Sequence, residues 1–178
     1  QLGICELSKL KGVYDKLLRQ NKIGNVQGIA QVHQDIAEQN SAGAFLCGYP
    51  VFREICRLQV RKTARFDENE YILLLTLKAG EYTGSKVSDV NLFRIRNAMP
   101  HLVETLKKSL RPGDAVAQFS DSQYVILLSA CTYEGGMLVA NRIISKFYQD
   151  NKIYRNLKIK INIEKVKTTE NILRKYTG

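Results

Sequence analysis

The sequence predicts a mixed α/β (α+β) fold, in which helices flank a central mixed sheet, and three observations carry this prediction. Residues 71–77 form a continuous apolar run, as in a strand that is buried on both faces. Residues 157–163 alternate apolar and polar side chains, which is typical of a strand with one solvent face. Helical periodicity and one hairpin lie between these strands, and this order of elements favours helices packed on a sheet.

Two helices are predicted at the start of the chain, over residues 8–20 and 25–39, because apolar side chains recur there at helical spacing. Small and polar residues over 40–43 then indicate a domain boundary. We expect the helical segment to be the tail of a preceding helical-repeat domain. The predicted divisions are residues 1–40 for this segment, 41–167 for the main domain and 168–178 for a C-terminal tail.

The main domain is predicted as strand, helix, strand, helix, hairpin, helix and strand. Pro50 suits a helix start, whereas Pro100 should kink or divide the long helix, because proline removes a backbone donor. Pro112 and Gly113 predict a type II turn before the hairpin. The predicted elements are, in order, 44–47, 50–65, 71–77, 88–110, the hairpin 114–128, 134–148 and 157–163.

The composition, with 44% hydrophobic residues in 178, is that of a globular protein, and no apolar run approaches the ~20 residues of a membrane span. The first residues match neither a signal peptide nor an initiator methionine, so we expect a fragment of a larger cytoplasmic protein without a membrane partner. The four cysteines lack metal-ligand spacing and are expected to be reduced thiols. The net charge of +10 is spread along the chain, which favours a solvated surface, with polyanion binding as the alternative.

The predicted hairpin over residues 114–128 carries the polar loop 120–124 between two apolar strands. This arrangement resembles the signature hairpin of diguanylate cyclase (GGDEF) domains, in which a strand leads into Gly-Gly-Asp/Glu-Glu-Phe and a second apolar strand follows. The resemblance implies a nucleotide-cyclase, ferredoxin-like fold. In this family the glycines let backbone approach a nucleotide, and the acids hold magnesium ions. Here only the aromatic position is kept, so the loop is a degenerate signature. Its five positions are held by Ser120, Asp121, Ser122, Gln123 and Tyr124.

The resemblance also implies a metal-binding aspartate on the first buried strand, and this chain has Thr76 and Lys78 in that region. Asp121 is a single acid in the signature loop, one position early. These losses predict that the chain is not an enzyme. We therefore expect no catalytic residues, no metal ligands and no cofactor.

Arg111 and Asp114 match an Arg-x-x-Asp pattern that, in active relatives, forms an inhibitory site for cyclic di-GMP. Arginine suits such a site because its planar fork pairs with phosphate or with a guanine edge. The structural alternative is that Arg111 ends a helix and Asp114 completes a turn. Both interpretations stay open, and the two residues are the candidate ligand site.

Four segments are similar to the C-terminal region of bacterial transcriptional activators that carry a helical-repeat activator domain. These segments are residues 43–47, 52–58, 109–114 and 122–128. This similarity implies a non-catalytic regulatory domain that contacts protein partners or itself, with DNA recognition in an N-terminal part of the polypeptide. A nucleotide-sensing module for cyclic di-GMP or GTP and an active cyclase are the alternatives. An apolar stripe before the domain is formed by Val26, Ile29 and Ile36. It is predicted to pack either on the helix over residues 8–20 of the same chain or on the same stripe of a second copy, as in a homodimer.

Overall fold

The structure is a computed structural model that describes residues 28–36, 42–66, 69–79 and 85–166. The chain divides into two compact units, Gln1–Asn40 and Ser41–Gly178. In the first unit, helix α1 spans Ile29–Ile36 and exposes the side chains of Ile29 and Val32. The predicted helix over residues 8–20 and the predicted tail over 168–178 lie outside the described residues.

The second unit is a five-stranded mixed sheet with helices on both faces, which confirms the predicted fold class. The strand order is β1-β3-β4-β2-β5, in which β1 and β3 are parallel and the other neighbours are antiparallel. The elements are β1 (Phe45–Leu46), α2 (Tyr49–Phe66), β2 (Tyr71–Ala79), α3 (Ser85–Ser109), β3 (Ala115–Ser120), β4 (Gln123–Leu128), α4 (Tyr133–Asp150), a 3₁₀ turn (Lys152–Tyr154) and β5 (Leu157–Lys165).

The larger core lies between the sheet and helices α3 and α4. Side chains alternate between the two faces of a strand, so every second residue of β2 and β4 points towards these helices. Their packing buries apolar area, which is the main favourable contribution to folding. The fully buried side chains of this inner face include Leu73, Leu75, Leu77, Ile126, Leu102, Leu106, Ile143 and Phe147.

A smaller core lies on the opposite, outer face of the sheet, where α2 packs. Phe52 is the buried anchor of this helix, and it contacts the outward-facing residues of β3 and β4. These partners are Ala115, Ala117, Val125 and Leu127. Among the described helices α2 packs on this face, and within the described residues it leaves part of the outer surface of β2 and β5 open.

Three local details differ from what the sequence predicts. Of the two outcomes predicted for Pro100, a kink or a division, division does not occur, because α3 runs from Ser85 to Ser109 through the proline. Met99 and Leu102, on either side of Pro100, are both buried in the core. The turn before the hairpin closes through the Asp114 N–H, which donates to the Arg111 carbonyl at 3.0 Å. It is not of type II, because that type needs a positive φ at Gly113. Gly113 does not have one, since the positive φ among the described glycines is at Gly43.

The third difference concerns the end of β2. The strand was predicted to stop at residue 77, with a polar loop following, but it continues to Ala79. Pairing with β5 explains the extension, since Lys78 lies opposite Lys158 and Ala79 lies opposite Leu157. A partner strand satisfies backbone hydrogen bonds whatever the polarity of the side chain.

The described residues bear on two further features, membrane-spanning helices and the state of the cysteines. None of the described helices combines the length and the apolarity needed to cross a lipid bilayer. Cys47, Cys56 and Cys131 are free, partly buried thiols, and Cys5 lies outside the described residues.

Candidate functional site

The degenerate signature loop forms the tip of the β3–β4 hairpin. Asp121 and Ser122 are the turn, and the strands close at the Ser120–Gln123 pair. A register shift between Gln118 and Ser120 places a bulge beside the tip. Ala130, outside this loop, is the described non-glycine residue with a positive φ. The tip therefore turns without the left-handed backbone that would require glycine.

Hydrogen bonds tie the hairpin tip to the end of β2. Ser120 Oγ donates to Gln123 Oε1 at 3.0 Å, and Gln123 Nε2 donates to Thr76 Oγ1 at 3.0 Å. The Leu77 N–H donates to the Ser122 carbonyl at 2.8 Å. The structure thus brings Thr76 to the signature loop, and polar side chains fill the place where the family resemblance implies metal-binding acids.

Asp121 points away from this network. Its Oδ2 lies 2.9 Å from Arg96 Nη2, and the side chains of both residues are about two-thirds exposed, at 66% and 60%. An exposed pair of this kind contributes at most about 1 kcal/mol to stability. The one acid of the loop is therefore a surface ion-pair partner of α3.

Tyr124, the retained aromatic position, is part of the inner core rather than of the surface. Its hydroxyl donates to the Met99 carbonyl at 3.4 Å, and burial raises the pKa of the phenol above its ordinary value. An aromatic ring is favoured at this position because it fills the space between β4 and α3.

Three lysines lie at the open end of the outer sheet face, and the sequence alone does not predict that they are neighbours. Lys78 lies directly opposite Lys158, and Thr76 lies opposite Lys160. All three lysines are exposed. The alternating lysines of β5 were visible in the sequence, but the register that places them beside Thr76 was not.

The candidate ligand residues Arg111 and Asp114 lie together but serve different purposes. Asp114 is buried, and its carboxylate accepts from the Arg111 N–H at 2.9 Å and from the Ser129 N–H at 3.3 Å. It therefore holds the turn before β3 against the end of β4. Arg111 is exposed at a cavity of about 250 Å³, which we call the Arg111 pocket.

The Arg111 pocket opens at the start of α4. Thr132 caps this helix, since its hydroxyl oxygen accepts from the Gly135 N–H at 3.1 Å. Burial and the charge of Asp114 raise the pKa of the Cys131 thiol in the pocket, while the nearby charge of Arg111 opposes that rise. A guanidinium beside a helix N-terminus is a setting that favours an anion.

A cavity lies between α2 and the outer sheet face, and we call it the α2 groove. Its volume is about 460 Å³, within the ordinary range of ligand pockets. Ile72, Leu74 and Val125 form an apolar floor. Arg53, Arg57, Glu164 and Lys165 line it as charged residues. The groove was not predicted from the sequence, because it depends on where α2 sits over the sheet.

No protein-family model matches this sequence, and neither does any curated protein sequence. Solved structures do match. A DGC protein from Thermotoga maritima has a TM-score of 0.53 at 13% identity, over 76% of this chain and 95% of that one. Diguanylate cyclase SiaD from Pseudomonas aeruginosa, in complex with its activator SiaC, has a TM-score of 0.54 at 9% identity, and the match covers 97% of this chain and 64% of that one. The coiled coil and GGDEF domain of DgcB from Caulobacter crescentus, in complex with c-di-GMP, has a TM-score of 0.52 at 8% identity, and the match covers 98% of this chain and 90% of that one.

These likenesses show that the chain has the fold of GGDEF diguanylate cyclase domains. The prediction that the chain is not an enzyme is therefore wrong, because the structures that share its fold are diguanylate cyclases. That prediction rested on side chains in a loop and at one strand end. The fold depends instead on buried residues such as Leu75 and Tyr124. These residues are apolar or aromatic here, although the signature loop and the end of β2 differ from the family pattern.

The cyclase fold implies divalent metal ions, and the side chains at the hairpin tip do not fit them. Thr76 and Gln123 offer neutral oxygens, Lys78 carries a positive charge, and Asp121 pairs with Arg96 at the surface. Within the described ranges there is no group of three or more His, Cys, Asp or Glu side chains that could hold a metal ion. Magnesium prefers carboxylates and phosphate oxygens, so this set of donors is unsuited to it.

Proposed function

We propose that this chain is a regulatory, protein-binding domain of a bacterial transcriptional regulator, built on the diguanylate cyclase fold. The observation that carries the proposal is the α2 groove, an apolar cavity between α2 and the sheet face on which this helix packs. The transcriptional context is supported by the four segments that are similar to activator C-terminal regions. DNA recognition then belongs to a part of the polypeptide N-terminal to this chain.

The charges of the α2 groove favour an acidic amphipathic segment as the partner. Arg53, Arg57 and Lys165 outnumber Glu164 among the charged lining residues. Glu54 sits between the two arginines, 3.7 Å from Arg53 and 2.6 Å from Arg57, and leaves the rim net positive. An apolar floor with a cationic rim suits a helix that has one apolar and one acidic face. SiaD, which shares this fold, is bound by an activator in its solved structure.

Reversing one charge of this rim should impair regulation without unfolding the domain. In the full-length protein, Arg57→Glu places an acid on the groove rim, so an acidic partner is repelled. We expect the transcripts that change when the gene is deleted to change in the same direction in this variant. The measurement is transcript profiling of the encoding bacterium, with DNA binding by the full-length protein followed in parallel.

Arg61→Glu is the matched control, because Arg61 is exposed on the same helix and is not among the lining residues of the groove. This variant should behave like the wild type in both measurements. If deletion of the gene changes no transcript, or if both variants keep wild-type regulation, the proposed function is contradicted. Loss of regulation in both variants would likewise count against the groove.

The second candidate function is recognition of cyclic di-GMP at the Arg111 pocket. It is favoured by the exposed Arg111 side chain beside the N-terminus of α4. DgcB, which shares the fold, was solved with c-di-GMP. Asp114 has a supporting role in this proposal, because its carboxylate already holds the turn.

Arg111→Ala should weaken cyclic di-GMP binding at least about tenfold, the loss expected when a charged hydrogen-bond partner of a phosphate is removed. Isothermal titration calorimetry on both proteins measures this change. Arg155→Ala removes an exposed arginine outside the pocket and should leave the affinity unchanged. If the wild-type protein shows no binding up to about 1 mM cyclic di-GMP, its Kd exceeds even that of a very weak site, and this candidate is excluded.

Self-association through the apolar stripe before the domain stays a prediction. Ile29 of this stripe is 71% exposed on α1. Val26 lies outside the described residues. Symmetric dimers are the commonest oligomers, and an exposed apolar stripe is a suitable surface for one.

A further inference from the structure

The lysines at the open end of the outer sheet face form a compact patch. Lys158 and Lys160 are two residues apart on β5, a distance of about 7 Å along a strand. Lys78 lies opposite the first of them, where paired Cβ atoms are about 5 Å apart. Residues at alternate positions share a face, so the three side chains extend from the same side of the sheet.

No carboxylate of the described residues neutralises this patch. The ion pairs found among them involve Arg53, Arg57, Arg96 and Lys107, and none involves these three lysines. The next outward-facing residue of β5 is the neutral Asn162, and Glu164 is four residues from Lys160, about 13 Å along the strand. Like charges placed directly opposite each other destabilise a sheet, so an anion bound to these lysines would relieve their mutual repulsion.

A hydrogen-bond donor lies next to the lysines. Thr76 is opposite Lys160, and its oxygen accepts from Gln123 Nε2 at 3.0 Å. A hydroxyl that accepts in this way keeps its own O–H for donation. The network of the hairpin tip fixes the position of Thr76, so a ligand would meet a preformed donor beside three exposed cations.

We infer that Lys78, Lys158, Lys160 and Thr76 form a site for a chain of phosphates, which the protein binds directly and without a divalent metal. The lysines supply the positive charge that metal ions would otherwise bring to such a ligand. A metal held at this place would be repelled by Lys78, whereas ammonium groups pair readily with phosphate oxygens. The inference does not depend on the α2 groove or on the Arg111 pocket.

The test is calorimetric titration of the protein with sodium tripolyphosphate in the presence of EDTA. We expect saturable binding that weakens when magnesium is added, because the metal competes with the lysines for the phosphates. Lys158→Gln combined with Lys160→Gln should weaken binding at least about tenfold, through loss of two charged contacts. GTP and ATP, titrated in the same way, distinguish a free phosphate chain from one carried by a nucleotide.

Lys108→Gln combined with Lys152→Gln is the matched control, because it removes the same charge from exposed lysines elsewhere on the domain. This variant should bind tripolyphosphate like the wild type. Equal weakening in both double variants would overturn the inference, and so would binding that requires magnesium. If duplex DNA binds in a manner that depends on Lys158 and Lys160 while tripolyphosphate does not, the patch is a nucleic-acid surface and the proposed ligand is wrong.

The folded state of the variant is checked without any ligand. Removing Lys158 from its position opposite Lys78 should leave the melting temperature unchanged or slightly raised, because repulsion is relieved. A marked fall in that temperature would mean that weakened binding reflects unfolding. In that case the smaller change Lys158→Arg, which keeps the charge, should retain binding, and loss of binding in this variant would count against a simple charge-based site.

Discussion

Phe147→Ala is expected to lower the free energy of unfolding by about 3–5 kcal/mol, which is the cost of removing a large ring from a core that cannot collapse around the gap. Phe147 on α4 is fully buried. Its ring lies 6.1 Å from that of Tyr154 in a stacked arrangement and 5.5 Å from that of Tyr148. The effect should be among the largest of any single substitution here, because this ring connects α4 to the segment before β5.

Two tyrosine hydroxyls anchored around Phe147 make relaxation of the cavity difficult. Tyr154 donates to the Asn97 carbonyl of α3 at 3.1 Å, and Tyr148 donates to the Leu157 carbonyl of β5 at 2.7 Å. Urea denaturation followed by circular dichroism measures the change. Leu138→Ala, at a residue of the same helix that is 71% exposed, should cost less than about 0.5 kcal/mol. A loss below about 1 kcal/mol for Phe147→Ala would show that this core is loosely packed.

Gly43→Ala should destabilise the main domain by about 2–4 kcal/mol, for two independent reasons. Gly43 has a φ of +93°, a conformation that costs a residue with a Cβ about 1–3 kcal/mol. A Cβ added there would also clash with the Lys107 carbonyl oxygen, so the backbone must move. Movement would disturb β1, which is held by the Phe45 N–H donating to the Asp114 carbonyl at 2.8 Å.

Gly113→Ala is the matched control for this prediction. Gly113 lacks a positive φ, and a Cβ added to it meets no atom within 4 Å. Its replacement should leave stability unchanged or slightly higher, since alanine restricts the unfolded chain. Thermal unfolding of both variants separates the effects. Equal melting temperatures for the two variants would mean that β1 tolerates displacement and that its pairing adds little to the domain.

Strand and helix positions were predictable where a single period dominates the local sequence. The alternation that ends at Ile163 and the apolar run that starts at Tyr71 both appear as strands, with ends extended by pairing to each other. The hairpin was predictable because two apolar runs flank a short polar turn. In each case the signal lies within about ten residues, and tertiary contacts adjust the boundaries.

The candidate site was less predictable, because it depends on contacts between distant segments. Thr76 and Lys78 were recognised one by one, yet their neighbours Lys158 and Lys160 come from the last strand and are placed by register alone. The sequence also left two roles open for Asp114, and its burial with two backbone donors assigns it to the turn. The α2 groove arises from the placement of a whole helix, which no local pattern specifies.

Cys56 gives the α2 groove a built-in chemical reporter. Burial, together with the charges of Glu70 and Cys47, raises the pKa of its thiol to about 11, and the side chain lines the groove. At pH 8 about one such thiol in a thousand is ionised, so alkylation by iodoacetamide is slow in the free domain. A partner seated in the groove would slow it further by excluding the reagent. Modification kinetics, resolved by peptide mass spectrometry, can therefore follow occupancy of the groove in the full-length protein without a purified partner.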